Sequence, residues 1–215
     1  MAEMAAAVRA AAADAVVTFL WVLCVSTLGA STAAVTSYLT LHGFHYALLV
    51  TVSLLTLLLF VFNLLCAALG GASFNPTGVA AFYAAGLTSP SLFSVALRFP
   101  AQVDPHTGAI AEGVLTFVIT MAVLWIIVKG PRNPILKTWM LSVSTVSLVL
   151  SGAAYTGPAM NPANAFGWAY VNSRHNTWEQ FYVYWICPFI GAILAAWIFR
   201  AVFLRPGPKL KAKKA

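Results

Sequence analysis

The chain has 215 residues, of which 61% are hydrophobic and 8% charged, whereas an ordinary soluble domain is about a quarter charged. That leaves too few polar side chains to cover a water-facing surface and too much apolar surface for a disordered chain, so the solvent it fits is lipid. The net charge of +7 does not point to nucleic acid: no basic face with interleaved aromatics exists, and six of the twelve Lys and Arg lie in the last 16 residues.

Six apolar stretches run in chain order over Ala13–Ala34, Tyr46–Leu69, Leu92–Val103, Ile110–Val128, Trp139–Ala154 and Phe181–Leu204. A span needs about 20 apolar residues. None of the long stretches alternates with period two, so helices are expected rather than a barrel. The first run continues past Ala30 with no small-residue cleavage site in a polar flank, and is read as a retained span. The third is anomalous: 12 residues interrupted by Arg98 and Pro100, reaching ~18 Å as a helix against a ~30 Å hydrocarbon core. Charge placement tests whether it crosses. With six crossings and a cytosolic N-terminus, 11 of the 12 basic residues lie inside and only Arg174 outside. Without that crossing nine of them move outside, so the positive-inside rule favours six.

Two similar segments divide the chain. Gly71-Ala72-Ser73-Phe74-Asn75-Pro76-Thr77-Gly78 is matched by Gly157-Pro158-Ala159-Met160-Asn161-Pro162-Ala163-Asn164, with the asparagines 86 residues apart. Each follows the second span of a three-span group. Three spans per repeat is odd, so the halves insert with opposite orientation, the inverted-repeat pattern of transport proteins. Asn caps a helix N-terminus and Pro fits its first turn. Each motif is therefore expected to begin a half-helix, near Val79–Ala85 and Ala165–Val171, and the two N-terminal dipole ends converge at mid-membrane. There the Asn amides can donate to a passing solute while the dipoles repel cations and protons. The chain is read as one domain, repeat 1 about 10–104, repeat 2 about 108–204, with a basic tail 205–215. Cys24, Cys66 and Cys187 sit in apolar runs as small hydrophobes. No metal-ligand cluster, cofactor motif or nucleophile–base constellation is present, so no enzyme is expected.

On these residues the chain resembles the major intrinsic proteins, the aquaporin superfamily, whose mark is two Asn-Pro-Ala loops in a six-span inverted repeat. The second motif matches as Asn161-Pro162-Ala163; the first is Asn75-Pro76-Thr77, with Thr for Ala. That substitution, the small size, the alanine-rich N-terminus, the basic tail and the segment Gly157–Tyr170 look like the plant small basic intrinsic proteins, first subgroup. The resemblance implies an all-α bundle of six transmembrane helices and two re-entrant half-helices, the third helix truncated. It implies a homotetramer in a lipid bilayer and passive passage of water and small neutral solutes. It carries the outer filter over to Thr56 (Leu55 in a gapless alignment), Val149, Pro158 and Asn164. Asn164 stands where most of the family has Arg, so the filter is uncharged and the half-helix dipoles carry proton exclusion. It also implies that some two dozen residues are absent between about Ala101 and Asp104, impairing the third span. A non-conducting membrane scaffold or assembly partner is therefore the alternative function.

Asp14 and Glu112 occupy matching repeat positions. The resemblance assigns Glu112 to support of the second loop; for Asp14, loop support and interfacial solvation both stand open. His42, His45, His106 and His175 read as exposed loop residues, and Trp139, Trp178, Tyr182 and Tyr184 as interface anchors. Gly191 and Ala195-Ala196 allow close helix packing. Lys211 and Lys213 fit a dilysine endoplasmic-reticulum retrieval signal, the other reading being a solvated cytosolic tail.

Overall fold

The computed structural model describes residues 2–87, 104–171 and 176–204. Among the described residues all regular structure is helical. The elements are α1 (Ala2–Ser26), α2 (Leu28–Tyr38), α3 (Phe44–Ala68), α4 (Pro76–Ala84), α5 (Pro105–Val128), α6 (Pro134–Gly152) and α7 (Pro162–Val171). They are followed by α8 (Trp178–Phe181), a π-helical turn (Tyr182–Ile186) and α9 (Cys187–Phe203). Among the described residues five segments are long and apolar enough to cross a membrane: Val8–Ser26, Phe44–Ala68, Pro105–Val128, Pro134–Gly152 and the continuous Trp178–Phe203. The expected third span over 92–103 lies outside the described residues. So do His175 and the tail with Lys211 and Lys213.

Helix starts differ from the hydropathy limits for one physical reason. Four helices begin at an Asn-Pro or Asp-Pro pair in which the first side chain caps the helix and proline occupies the first turn. Asp104 accepts from Thr107 N at 3.1 Å, and Asn133 accepts from Ile135 N at 2.9 Å and Leu136 N at 3.1 Å. The fourth and fifth spans therefore start at Pro105 and Pro134 rather than at Ile110 and Trp139. The half-helices likewise start at Pro76 and Pro162, three residues earlier than expected.

The first span differs too. Helical chain runs from Ala2 to Tyr38 but breaks at Thr27. The Ser26 and Thr27 hydroxyls donate back to the carbonyls of Leu23 at 2.9 Å and Cys24 at 2.8 Å, and such back-bonding bends helices. Past the break, Thr32 Oγ1 lies 3.0 Å from Thr51 Oγ1 and ties α2 to α3.

The tightest seam joins α5 to α9. A Cβ on Gly191 would lie 2.1 Å from the Gly113 carbonyl oxygen, and one on Gly113 would lie 3.2 Å from that of Cys187. Lipid offers no hydrophobic drive between helices, so association relies on such close backbone approach. Gly191 lies in this seam, and Ala195 and Ala196 are buried one turn further along α9. Tyr184, expected at the interface, is instead 4% exposed and packs with Ala109, Ala165, Ala169, Val183 and Trp185. Trp139 and Trp178 are exposed as anchors should be, and His42, His45 and His106 are exposed loop or helix-start residues.

The half-helices touch opposite ends of the Trp178–Phe203 segment, which at 26 residues is ~39 Å long. Ala81 and Ala85 of the α4 region pack against Ala192, Ala196 and Phe199. Ala165 and Ala169 of α7 pack against Val183 and Tyr184. The two therefore enter from opposite sides. The outer end of α4 closes in a Schellman turn, with Gly86 N–H donating to the Tyr83 carbonyl and Leu87 N–H to that of Phe82, both at 2.9 Å. Gly86 has φ +72°, and a Cβ there would be 3.4 Å from Arg200 Nη1. The guanidinium thus sits at the negative end of the half-helix.

Candidate functional site

Each half-helix is introduced by a loop held by a carboxylate from another span. In the first loop the carbonyl of Cys66 accepts from Gly71 N at 2.8 Å and Ala72 N at 3.2 Å. Gly70 and Gly71 have φ of 79° and 90°, so the reversal needs glycine. Asp14 Oδ1 then accepts from Ser73 N at 2.8 Å, and Thr18 Oγ1 donates to the Ser73 carbonyl at 3.3 Å. Trp21 stacks on Phe74 with ring centroids 4.3 Å apart, and Phe62 meets both edge-on. Asp14, Thr18 and Trp21 are spaced i, i+4, i+7 and so share one face of α1.

The second loop hangs on Glu112, which is fully buried. Its Oε1 accepts from Thr156 Oγ1 at 2.8 Å and Ala159 N at 3.0 Å, and its Oε2 from Met160 N at 3.0 Å. Met160 adopts φ 46°, an uncommon conformation for a side chain of this kind, directly before Asn161. Tyr184 Oη donates to the Thr156 carbonyl at 3.4 Å.

The motif residues come together where these loops end. Asn75 Oδ1 accepts from Thr77 N at 3.1 Å and from Thr77 Oγ1 at 2.7 Å. Asn161 Oδ1 accepts from Ala163 N at 3.0 Å. Pro76 and Pro162 occupy the first helical positions. Asn161 Nδ2 links the halves by donating to the Phe74 carbonyl at 3.0 Å. The positive ends of α4 and α7 therefore meet.

Asn75, Thr77, Asn161 and Asn164 line a cavity of about 690 Å³ that also reaches Asp14, Asn63 and Thr145. It opens along the early part of α1 and the late parts of α3 and α5, the side on which the N-terminus lies. Of the four filter positions only Asn164 faces it. Its Oδ1 atom is buried and meets no donor among the described residues. Thr56, Val149 and Pro158 do not line this cavity. Thr56 donates to the Val52 carbonyl at 2.7 Å, Val149 is 38% exposed, and Pro158 is buried against Gly152. Leu55, the gapless alternative to Thr56, is buried with Val17, Trp21, Phe62 and Val146.

Trp21, the Phe74 carbonyl, Asn63 and Thr145 were not singled out from the sequence. Spacing from Asp14 marks Trp21. The Phe74 carbonyl carries no sequence signal, being backbone. Among the described residues no group of three His, Cys, Asp or Glu converges to hold a metal.

Residues 77–199 match the family described as Major intrinsic protein. The chain is 75% identical to aquaporin SIP1-2 of Zea mays, with 99% of each chain covered. It is 74% identical to aquaporin SIP1-1 of Oryza sativa subsp. japonica over 98% of this chain and 99% of the relative. It is 45% identical to aquaporin SIP1-1 of Arabidopsis thaliana over 98% and 99%. The first of these alignments runs over 241 positions against 215 residues here, so about two dozen of its positions have no counterpart in this chain.

Proposed function

The chain belongs to the major intrinsic protein family of membrane channels, and on that premise we propose that it passes water and small neutral solutes across an intracellular membrane. The observation that carries this reading is the head-to-head meeting of the two half-helices. Asn161 reaches across to the Phe74 carbonyl at 3.0 Å, beside a cavity lined by both motif asparagines. Amide donors fixed at two positive dipole ends suit a neutral, oxygen-bearing permeant and oppose a cation. Uncharged Asn164, in place of a guanidinium, leaves the constriction to neutral groups, which supports admission of solutes larger than water.

The same reading takes residues 1–215 as one channel domain of two inverted repeats with both termini in the cytosol. It assembles as a homotetramer, with Thr56, Val149, Pro158 and Asn164 as the outer filter. Lys211 and Lys213 act as the retrieval signal that keeps it in the endoplasmic reticulum. An N-terminally tagged chain with both lysines changed to Ala is expected to leave that membrane, and an unchanged distribution would remove the assignment.

Stopped-flow swelling of proteoliposomes tests the function directly. Flux of water or a small neutral solute well above empty vesicles is expected. No flux for either favours the non-conducting scaffold, a reading supported by the two dozen alignment positions this chain lacks. The same assay on a chain with that segment restored separates a missing span from a non-channel fold.

A further inference from the structure

We propose that Thr77 is a positioning residue that holds the Asn75 carboxamide as a fixed donor, making the two motif asparagines unequal partners for the permeant. The inference deepens the channel reading and rests on it for its consequence in flux, though not for its geometry.

The asymmetry is in the hydrogen bonds. Asn161 has one donor on its oxygen, from Ala163 N at 3.0 Å, and one amide hydrogen committed to the Phe74 carbonyl at 3.0 Å. Asn75 has two donors on its oxygen, from Thr77 N at 3.1 Å and Thr77 Oγ1 at 2.7 Å. Its Nδ2 meets no acceptor among the described residues, and the residue lines the cavity. Asn75 therefore keeps two uncommitted amide hydrogens beside the cavity, and Asn161 only one.

Thr77 is 1% exposed, so its hydroxyl has little access to water as a competing acceptor. Turning the Asn75 amide away would strand that hydroxyl and the Thr77 N–H together, and a buried unmade bond is costly. Two donors on the oxygen also polarise the amide and strengthen what Nδ2 can donate. An alanine at this position, as at Ala163 in the second loop, supplies only the backbone half of the lock.

Thr77→Val removes the hydroxyl at nearly constant shape. Thr77→Ala gives the first loop the residue already present in the second, so its local geometry is one this fold accepts. Thr77→Ser keeps the hydroxyl. Two readouts are taken on each in lipid: water permeability per channel, and the rotational order of the Asn75 side-chain amide. The order comes from nitrogen relaxation of asparagine-labelled protein, with the signal assigned by its loss in Asn75→Ser, which retains a capping side chain.

Expected is high amide order in the parent chain and Thr77→Ser, and reduced order in Thr77→Val and Thr77→Ala. Water permeability should fall about two- to tenfold in the latter pair, the range one such bond carries. Unchanged order in Thr77→Val and Thr77→Ala would overturn the proposal, as would failure of Thr77→Ser to preserve it. Order lost with permeability unchanged would overturn the link to permeation. A parent chain that passes no water, with the order pattern as expected, would sink the channel reading and leave the positioning role standing.

Discussion

Replacing Glu112 with Gln keeps the size of a buried side chain and removes one of its two acceptor oxygens. In the native arrangement three donors converge on the carboxylate, two on Oε1 and one on Oε2. A glutamine oriented to serve Thr156 and Ala159 aims its own N–H₂ at the Met160 N–H. That donor is left buried and unpaired, which costs ~1–3 kcal/mol, and the two retained bonds lose charge assistance worth about 1 kcal/mol each. These losses sum to about 3–5 kcal/mol, and the net cost is smaller because the neutral side chain no longer buries a charge. Met160 already sits at φ 46°, so a loosened loop has a more relaxed backbone to fall into. Reversible unfolding in mixed micelles should show this loss, and proteoliposome water flux should fall with it because Asn161 follows Met160 directly. A variant within ~1 kcal/mol of the parent chain, with unchanged flux, would refute the claim that Glu112 holds the second loop.

Asp14→Asn should also lower stability in the same unfolding assay, because the amide keeps an oxygen for the Ser73 N–H but loses the charge on it, worth about 1 kcal/mol in that bond alone. Gly191→Ala places a methyl 2.1 Å from the Gly113 carbonyl oxygen, backbone that cannot step aside, so ~1–3 kcal/mol or more of stability should disappear on overpacking; equal stability would show that the α5–α9 seam is looser than drawn. Asn161→Asp removes the donor to Phe74 and sets a negative charge where two positive helix ends meet. Sodium flux, expected to be absent in the parent chain, should then be measurable in the same vesicles.

Hydropathy and spacing made five of the spans and both half-helices legible, because a lipid solvent writes its constraint as long apolar runs. Their starts were misjudged wherever Asx-Pro capping extends a helix into polar sequence, as at Pro105 and Pro134. That same capping shows what the motif does not say. Asp104 and Asn133 cap ordinary spans in the way Asn75 and Asn161 cap half-helices, so the Asn-Pro pair alone marks a helix start. What singles out the motif pair is repetition at inverted positions, and then the use of the remaining amide hydrogens. The break at Thr27 was hidden because hydroxyls that bond back within a helix leave its hydropathy unchanged. Tyr184 was misread because an aromatic near a span end has the same composition signal whether it meets headgroups or packs inward. The outer filter positions rest on resemblance, and the cavity bears on Asn164 alone among them.

The Asn161–Phe74 bond has a consequence in time as well as in space. Its partners are separated by 87 positions, so the first half leaves the ribosome with its loop carbonyl facing no partner. At ~5–20 residues per second, roughly 4–17 s pass before Asn161 is made. During that interval the first half must wait in the membrane, supported by Asp14 and its own aromatic stack. The lumen comes into being only when the second half arrives, which ties completion of the pore to completion of synthesis.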